Sequence, residues 1–219
     1  KKKSNLAEGI VVEVITPAKE RVNPRNEDSY LSTSPWQIVD FDTEQHYKAA
    51  LIEEAFELHD IVLPEAIDVY TDERDYAYRN KIEFSWYWNK EDEQLDLSFF
   101  RRGTHGKIPV SDTSLALPEI NAAAIAIRDL LRTKADVRAY MLKTLLVRCD
   151  AAGHVAAQLY VKEESFVQLT GPELEGLKEN GNVHGFELIF SNPKSPASVI
   201  TKRLQAWGTT TLTDTILDV

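Results

Sequence analysis

This chain has one cysteine in 219 residues, Cys149. A single thiol cannot close an internal disulfide, and it excludes the multi-cysteine cages that hold structural zinc or iron–sulfur clusters. Such usage fits a reducing, cytoplasmic setting. No run of about 18 apolar residues exists, so no membrane-spanning helix is expected. The opening KKKSN is basic, but LAEGIVVEV behind it has neither the apolar core nor the cleavage site of a signal peptide. Glycine-rich phosphate loops and the dinucleotide fingerprint are missing. Gly-Thr-His-Gly at 103–106 reads as a turn between strands. Nothing repeats at a fixed period. The histidines (His46, His59, His105, His154, His184) have no paired ligand spacing and read as solvated or loosely packed. Positive charge is in the minority: 25 Lys and Arg against 35 Asp and Glu leave a net charge of −10. Nucleic-acid binders ordinarily carry a basic surface, so any grip on RNA or DNA has to come from a local patch.

What is present is the composition of a soluble globular chain, 43 % hydrophobic and 27 % charged. Residues 9–16, GIVVEVIT, predict a strand that Pro17 ends, and residues 17–40, with Pro17, Pro24 and Pro35, predict a loop or linker. Asp42 and Gln45 have capping-box spacing. Tyr47, Leu51, Ala55 and Leu58 then form an apolar helical stripe, with Pro64 beyond its end. Residues 81–88 alternate as a strand: Ile82, Phe84, Trp86 and Trp88 on one face, Lys81, Glu83, Ser85 and Tyr87 on the other. NKEDEQ turns the chain, and Leu95, Leu97 and Phe99 alternate on the return. KIPV at 107–110 predicts an edge strand, because Pro109 cannot donate to a ladder. A helix over 118–132 follows, with Pro118 in its first turn and Ile120, Ala124, Ile127 and Leu131 as its stripe. LKTLLVRCD and HVAAQLYV are strands joined by AAG. PELEGLKE is a short helix, GFELIF centres a strand at 184–190, and ITKRLQAW with TTTLTDTIL predicts a hairpin around Gly208. This order specifies an α+β fold: a mostly antiparallel sheet with flanking helices.

The candidate functional set is basic: Arg74, Arg79, Lys81, Arg101, Arg102, His105 and Lys107. If 81–88 pairs with 95–102, Arg79 and Lys81 meet Arg101 and Arg102 at the end of the hairpin away from its acidic tip. That arrangement suits a phosphate contact. The competing reading is a solvated sheet face with Asp75 and Glu83 as ionic partners. Arg148 beside Cys149 would lower the thiol's pKa, yet with no base visible nearby Cys149 reads as structural and is assigned no catalysis.

YRNKIEF, followed by SFFRRGTHGKIPVSDTSLALPEIN, resembles the central domain of the S-adenosylmethionine-dependent RNA 5-methyluridine methyltransferases, the RNA (uracil-5-)-methyltransferase family. The shared order is a Tyr-Arg pair, a basic residue, a hairpin, a glycine at Gly103, an Ile-x-Val strand and a helix. ERVNPRNEDSYLSTSPWQIVDFDTEQHYKAAL resembles the family's linker and first long helix, and KKKSNLAEGIVVEVITPAKERV the end of its small N-terminal β-barrel (TRAM) domain. WGTTTLTDTILDV resembles the segment leading into the methyltransferase domain. The resemblance implies a truncated barrel end at 1–20, a linker and long helix at 21–70, and a central α+β domain at 71–219. In the family a cysteine thiolate adds to C6 of uracil, C5 takes the methyl group, and a base removes the C5 proton. Those groups and the S-adenosylmethionine site lie in a C-terminal Rossmann-like domain that the resemblance places beyond Val219. It therefore implies no catalytic residue here, an inactive fragment, and a parent enzyme acting on RNA, with 23S rRNA favoured over tRNA. Arg79, Lys81, Arg101, Arg102 and Lys107 would be the RNA-binding residues. Many members hold an iron–sulfur cluster on four cysteines. The matching positions are Asn26, Ser32, Pro35 and Thr113, so no cluster is expected. The alternatives are a stand-alone RNA-binding module and a purely structural domain.

Overall fold

The computed structural model describes residues 2, 3, 6, 7, 9 and 11–214. The chain divides into two units, Lys1–Pro24 with Trp36–Tyr70, and Arg25–Pro35 with Thr71–Val219.

In the first unit β1 (Lys2–Lys3) pairs antiparallel with β2 (Leu6–Ala7). The strand expected at 9–16 does not form over residue 9 or 11–16; Ile10 lies outside the described residues. Val11, Val12 and Ile15 are exposed. β propensity cannot hold a strand that has no ladder to join. The long helix is α2 (Phe41–Glu57). Its cap is Asp40 rather than Asp42: the Asp40 carboxylate accepts hydrogen bonds from Thr43 N at 2.9 Å and Thr43 Oγ1 at 3.0 Å. Those bonds hold its pKa below the usual carboxylate value. Asp42 and Glu44 fall in the first turn, where the helix dipole favours negative charge. The predicted apolar stripe is not core. Tyr47, Leu51 and Leu58 are 47 %, 56 % and 76 % exposed, and no residue of α2 is buried.

The second unit is a seven-stranded sheet. Its strands are β3 (Lys81–Asn89), β4 (Gln94–Phe100), β5 (Lys107–Val110), β6 (Leu142–Cys149), β7 (Val155–Val161), β8 (Val183–Phe190) and β9 (Lys202–Gly208). Their spatial order is β5-β4-β3-β6-β7-β8-β9. Every pairing is antiparallel except β7–β8, whose crossover contains α4 (Gly171–Gly181). The fold is α+β, and β5 is an edge strand. α3 (Pro118–Arg132), with Pro118 in its first turn, packs with α4 over one face of the sheet. Ile120, Ala124, Ile127 and Leu131 join Ile82, Phe84, Trp86, Leu145, Val147 and Leu188 in one buried cluster. The alternation of β3 is the cause: its even-numbered residues face α3, and Leu97 and Leu95 stand opposite Trp86 and Trp88. Trp88, at the margin, is only partly buried and lies under the Arg138 guanidinium, 5.3 Å from the ring centre.

α4 starts with a reciprocal capping box between Thr170 and Glu173 and ends against α3. A Cβ at Gly181 would stand 2.8 Å from Ala126 Cβ, so glycine lets the two helices touch. The hairpin expected around Gly208 is absent over the described residues. β9 pairs with β8, and residues 209–214 form no strand; residues 215–219 lie outside the described part. Gly208 has φ +67°, and a Cβ there would sit 2.1 Å from His184 O. The strand therefore ends at that residue.

Burial separates two sets of apolar residues, and substitution should do so too. Phe84→Ala should cost about 3–5 kcal/mol and Leu145→Ala roughly 2–5 kcal/mol in urea unfolding. Leu58→Ala, at the C-cap of α2, should change stability by less than about 0.5 kcal/mol. A Leu58→Ala cost as large as that of Leu145→Ala would show that α2 is packed.

Candidate nucleic-acid interface

β3 changes partner halfway. Lys81–Phe84 pair with β6, whereas Ser85–Asn89 pair with β4. Before Ser85 the strand therefore parts from the end of β4. A cavity of about 340 Å³ opens there, its walls including Arg79, Lys81, Ser32, Thr33, Phe99 and Thr113.

The hairpin ladder does not continue far enough to set Arg79 and Lys81 opposite Arg101 and Arg102. Arg79 instead joins residues 115–117: its N–H donates to Leu115 O at 2.9 Å, and its carbonyl accepts from Leu117 N at 3.1 Å. Arg101 enters a tight turn, where its N–H donates to Gly106 O at 2.8 Å. Pairing of Phe100 with Lys107 leaves only six residues to reverse the chain, and Gly103 supplies φ +72°. The segment 25–35 brings Arg102 back toward the cavity. Arg102 N donates to Ser32 Oγ at 3.0 Å, and Ser32 lines the cavity. Asn26 Oδ1 accepts from Ser114 N at 3.0 Å and Ser114 Oγ at 2.5 Å, and the Arg25 guanidinium lies 3.8 Å over the Tyr76 ring. Sequence reasoning missed these ties, since nothing local marks contacts 88 residues apart.

The rest of the basic set divides. Arg74 is drawn to Asp72 in a local ion pair and does not line the cavity. Lys81 pairs with Glu83 at 2.6 Å, both half exposed. His105 sits exposed in the turn. Lys107 Nζ donates to Trp86 O at 2.6 Å and lies 5.4 Å from the Phe100 ring centre. Burial, and then the charge of Lys162, lower its pKa. Among the described residues no carboxylate forms an ion pair with Arg79, Arg101, Arg102 or Lys107.

Arg148 does not activate Cys149. Adjacent strand residues point to opposite faces, and Arg148 is exposed while Cys149 is 2 % exposed. Burial, then Glu119, Asp150 and Asp214, push the thiol up from 9.0 to about 11. Two histidines meet unexpectedly: the His154 and His184 rings lie 4.6 Å apart edge-on, and His154 Nδ1 is 3.1 Å from Asp150 Oδ2.

Neither group implied by the resemblance fits these residues. Asn26, Ser32, Pro35 and Thr113 offer no thiolate to an iron–sulfur cluster. The β7–α4 connection carries no glycine-rich cradle of the kind that opens a Rossmann-like cofactor site.

No family model matches the chain. It is 30 % identical over 154 residues to a Lactobacillus johnsonii protein described as an uncharacterized RNA methyltransferase, covering 65 % of this chain and 33 % of that one. A protein of Enterococcus faecalis with the same description is 24 % identical over 96 % of this chain and 48 % of its own length. The crystal structure of Pyrococcus abyssi tRNA (uracil-54, C5)-methyltransferase with S-adenosyl-L-homocysteine shares the fold. Its TM-score is 0.61 at 14 % identity, over 90 % of this chain and 44 % of that one. The chain thus spans less than half the length of each of these proteins.

Cys149 should behave as a buried thiol. Iodoacetamide should label the folded chain at pH 8 far more slowly than the urea-unfolded chain, and equal rates would contradict the burial. Because the folded value is raised, the thiol's contribution to stability is full below pH 9.0 and is lost as pH rises toward about 11.

Proposed function

We propose that this chain belongs to the RNA (uracil-5-)-methyltransferase family and is the central, RNA-associated part of an S-adenosylmethionine-dependent enzyme that methylates uridine in 23S rRNA in the cytoplasm. The observation that carries the reading is that the likeness to RNA methyltransferases runs along nearly the whole chain. In this reading 1–20 is the end of a β-barrel, 21–70 a linker and long helix, and 71–219 the central domain. The methyl donor binds elsewhere in the longer protein and supplies the methyl group there. The nucleophile and the base belong to that part as well, and Cys149 takes no step. No iron–sulfur cluster is held.

This chain's own task is to bind and orient RNA. Arg79 and Lys81 on the cavity wall, Arg101 and Arg102 at the turn, and Lys107 on β5 contact the phosphate backbone. Cations without carboxylate partners gain most from such contacts, because no existing ion pair has to break. Glu83 competes for Lys81, which makes Arg79 the stronger contributor of that pair.

Two measurements test the reading. Tritiated S-adenosylmethionine and bulk unmodified RNA are given to this chain and to its longer gene product. Only the longer form should transfer label, and the label should appear as 5-methyluridine in rRNA. Label in tRNA would redirect the substrate; no transfer by either would leave a stand-alone RNA-binding module. The second is Arg79→Ala with Lys81→Ala. RNA binding should weaken, and the slope of log K against log salt should become shallower by about 0.7–0.9 per cation removed. Unchanged affinity would end the phosphate assignment.

A further inference from the structure

α3 and α4 cover one face of the sheet. The opposite face is made by the alternate residues of each strand, and register fixes its neighbours. One row across it runs Lys81, Arg148, Ala156. Farther along β7, Tyr160 OH donates to Gln158 Oε1 at 3.0 Å, and Gln158 Nε2 donates to Glu187 Oε2 at 2.5 Å. The other oxygen of Glu187 accepts from Arg203 Nε at 2.7 Å. On the β3–β4 side Ser85 and Ser98 face each other. Ser85, Ser98, Tyr160 and Glu187 are buried, so the centre of this face is covered and a ligand can reach only the exposed groups around it.

Two further features stand on this polar face. Aromatic rings are available there: Phe100 is 56 % exposed and Tyr87 is partly exposed. Cations are set against each other. Arg148 is directly opposite Lys81, where like charges repel, and Glu83 offsets part of that repulsion through its 2.6 Å bond to Lys81. Lys162, one residue past β7, is close enough to Lys107 for its charge to depress the Lys107 ammonium. The chain carries 35 acidic residues, yet among the described residues none forms an ion pair with Arg148, Lys107 or Lys162. An arriving polyanion relieves this repulsion. Exposed rings add something that a duplex cannot use, because its bases are already stacked and hidden. A single strand offers both phosphates and open base faces.

We infer that the helix-free face of the sheet is a platform for single-stranded RNA, with Phe100 and Tyr87 stacking on bases and Arg148, Lys107 and Lys162 contacting phosphates. The inference rests on the RNA reading above and adds to it a substrate form and four residues, Arg148, Lys162, Phe100 and Tyr87, that sequence reasoning did not place at any RNA contact. Of these, Arg148 is the one whose position only the register reveals.

The test is fluorescence anisotropy of the 219-residue chain with a labelled single-stranded RNA of about 12 nucleotides and with a duplex of the same length. The single strand should bind more tightly. Phe100→Ala should weaken it about tenfold, with little effect on the duplex. Arg148→Ala should weaken it and make the salt slope shallower by about 0.7. Both substituted side chains are exposed, and thermal melts should match the parent chain. Equal binding of both RNAs, with Phe100→Ala and Arg148→Ala unchanged, overturns the platform. If Arg79→Ala with Lys81→Ala still weakens binding in that case, the RNA reading survives alone. No binding of either RNA overturns both.

Discussion

The register of β3 is the constraint from which the second unit follows. Its even-numbered residues enter the core with α3, and its odd-numbered ones remain on the polar face. A slip of one residue would send Phe84 and Trp86 outward and Lys81 and Glu83 inward, so the hydrophobic effect specifies the pairing strongly. The same strand exchanges partners at Ser85, from β6 to β4. That exchange opens the cavity bearing Arg79 and Lys81, and it sets Lys81 opposite Arg148. Core packing and the candidate interface are two faces of one alternation.

Charge is organised against the chain's overall balance. The molecule carries −10, yet Arg79, Arg101, Arg102, Arg148 and Lys107 have no carboxylate ion pair among the described residues. Elsewhere pairing is normal: Arg132 is bound to Asp96 and Asp129, Lys134 to Glu173, Arg203 to Glu187. An acidic surround keeps non-specific polyanion binding weak, and local cations then decide where a polyanion can settle. Net charge is therefore a poor guide to this molecule's partners, and the spatial sorting of charge is the informative quantity.

The likeness to RNA methyltransferases, combined with a span below half of their length, fits a division of labour. In the proposed enzyme this part holds RNA while chemistry occurs in another. Cys149 illustrates the separation. A nucleophilic thiol needs a lowered pKa and access, and this one has a raised pKa and almost no exposure.

Local pattern was sufficient where one element's own residues decide its state. Pro118, the stripe from Ile120 to Leu131, the alternation of β3 and the Pro109 edge strand were legible because period and backbone chemistry are written into consecutive residues. The candidate cations were legible as a set, but not their grouping. Arg148 meets Lys81, and Asn26 meets Ser114, through chain segments far apart in sequence. Three errors share that cause. Residues 11–16 have strand composition without a ladder, the stripe of α2 has apolar period without burial, and Gly208 ends a strand instead of turning a hairpin. Sequence by itself determined which residues prefer helix or strand and which face of each is apolar, because those are properties of neighbouring side chains. Only the tertiary structure decided which faces find partners, because burial and strand pairing are long-range contacts that no local pattern contains.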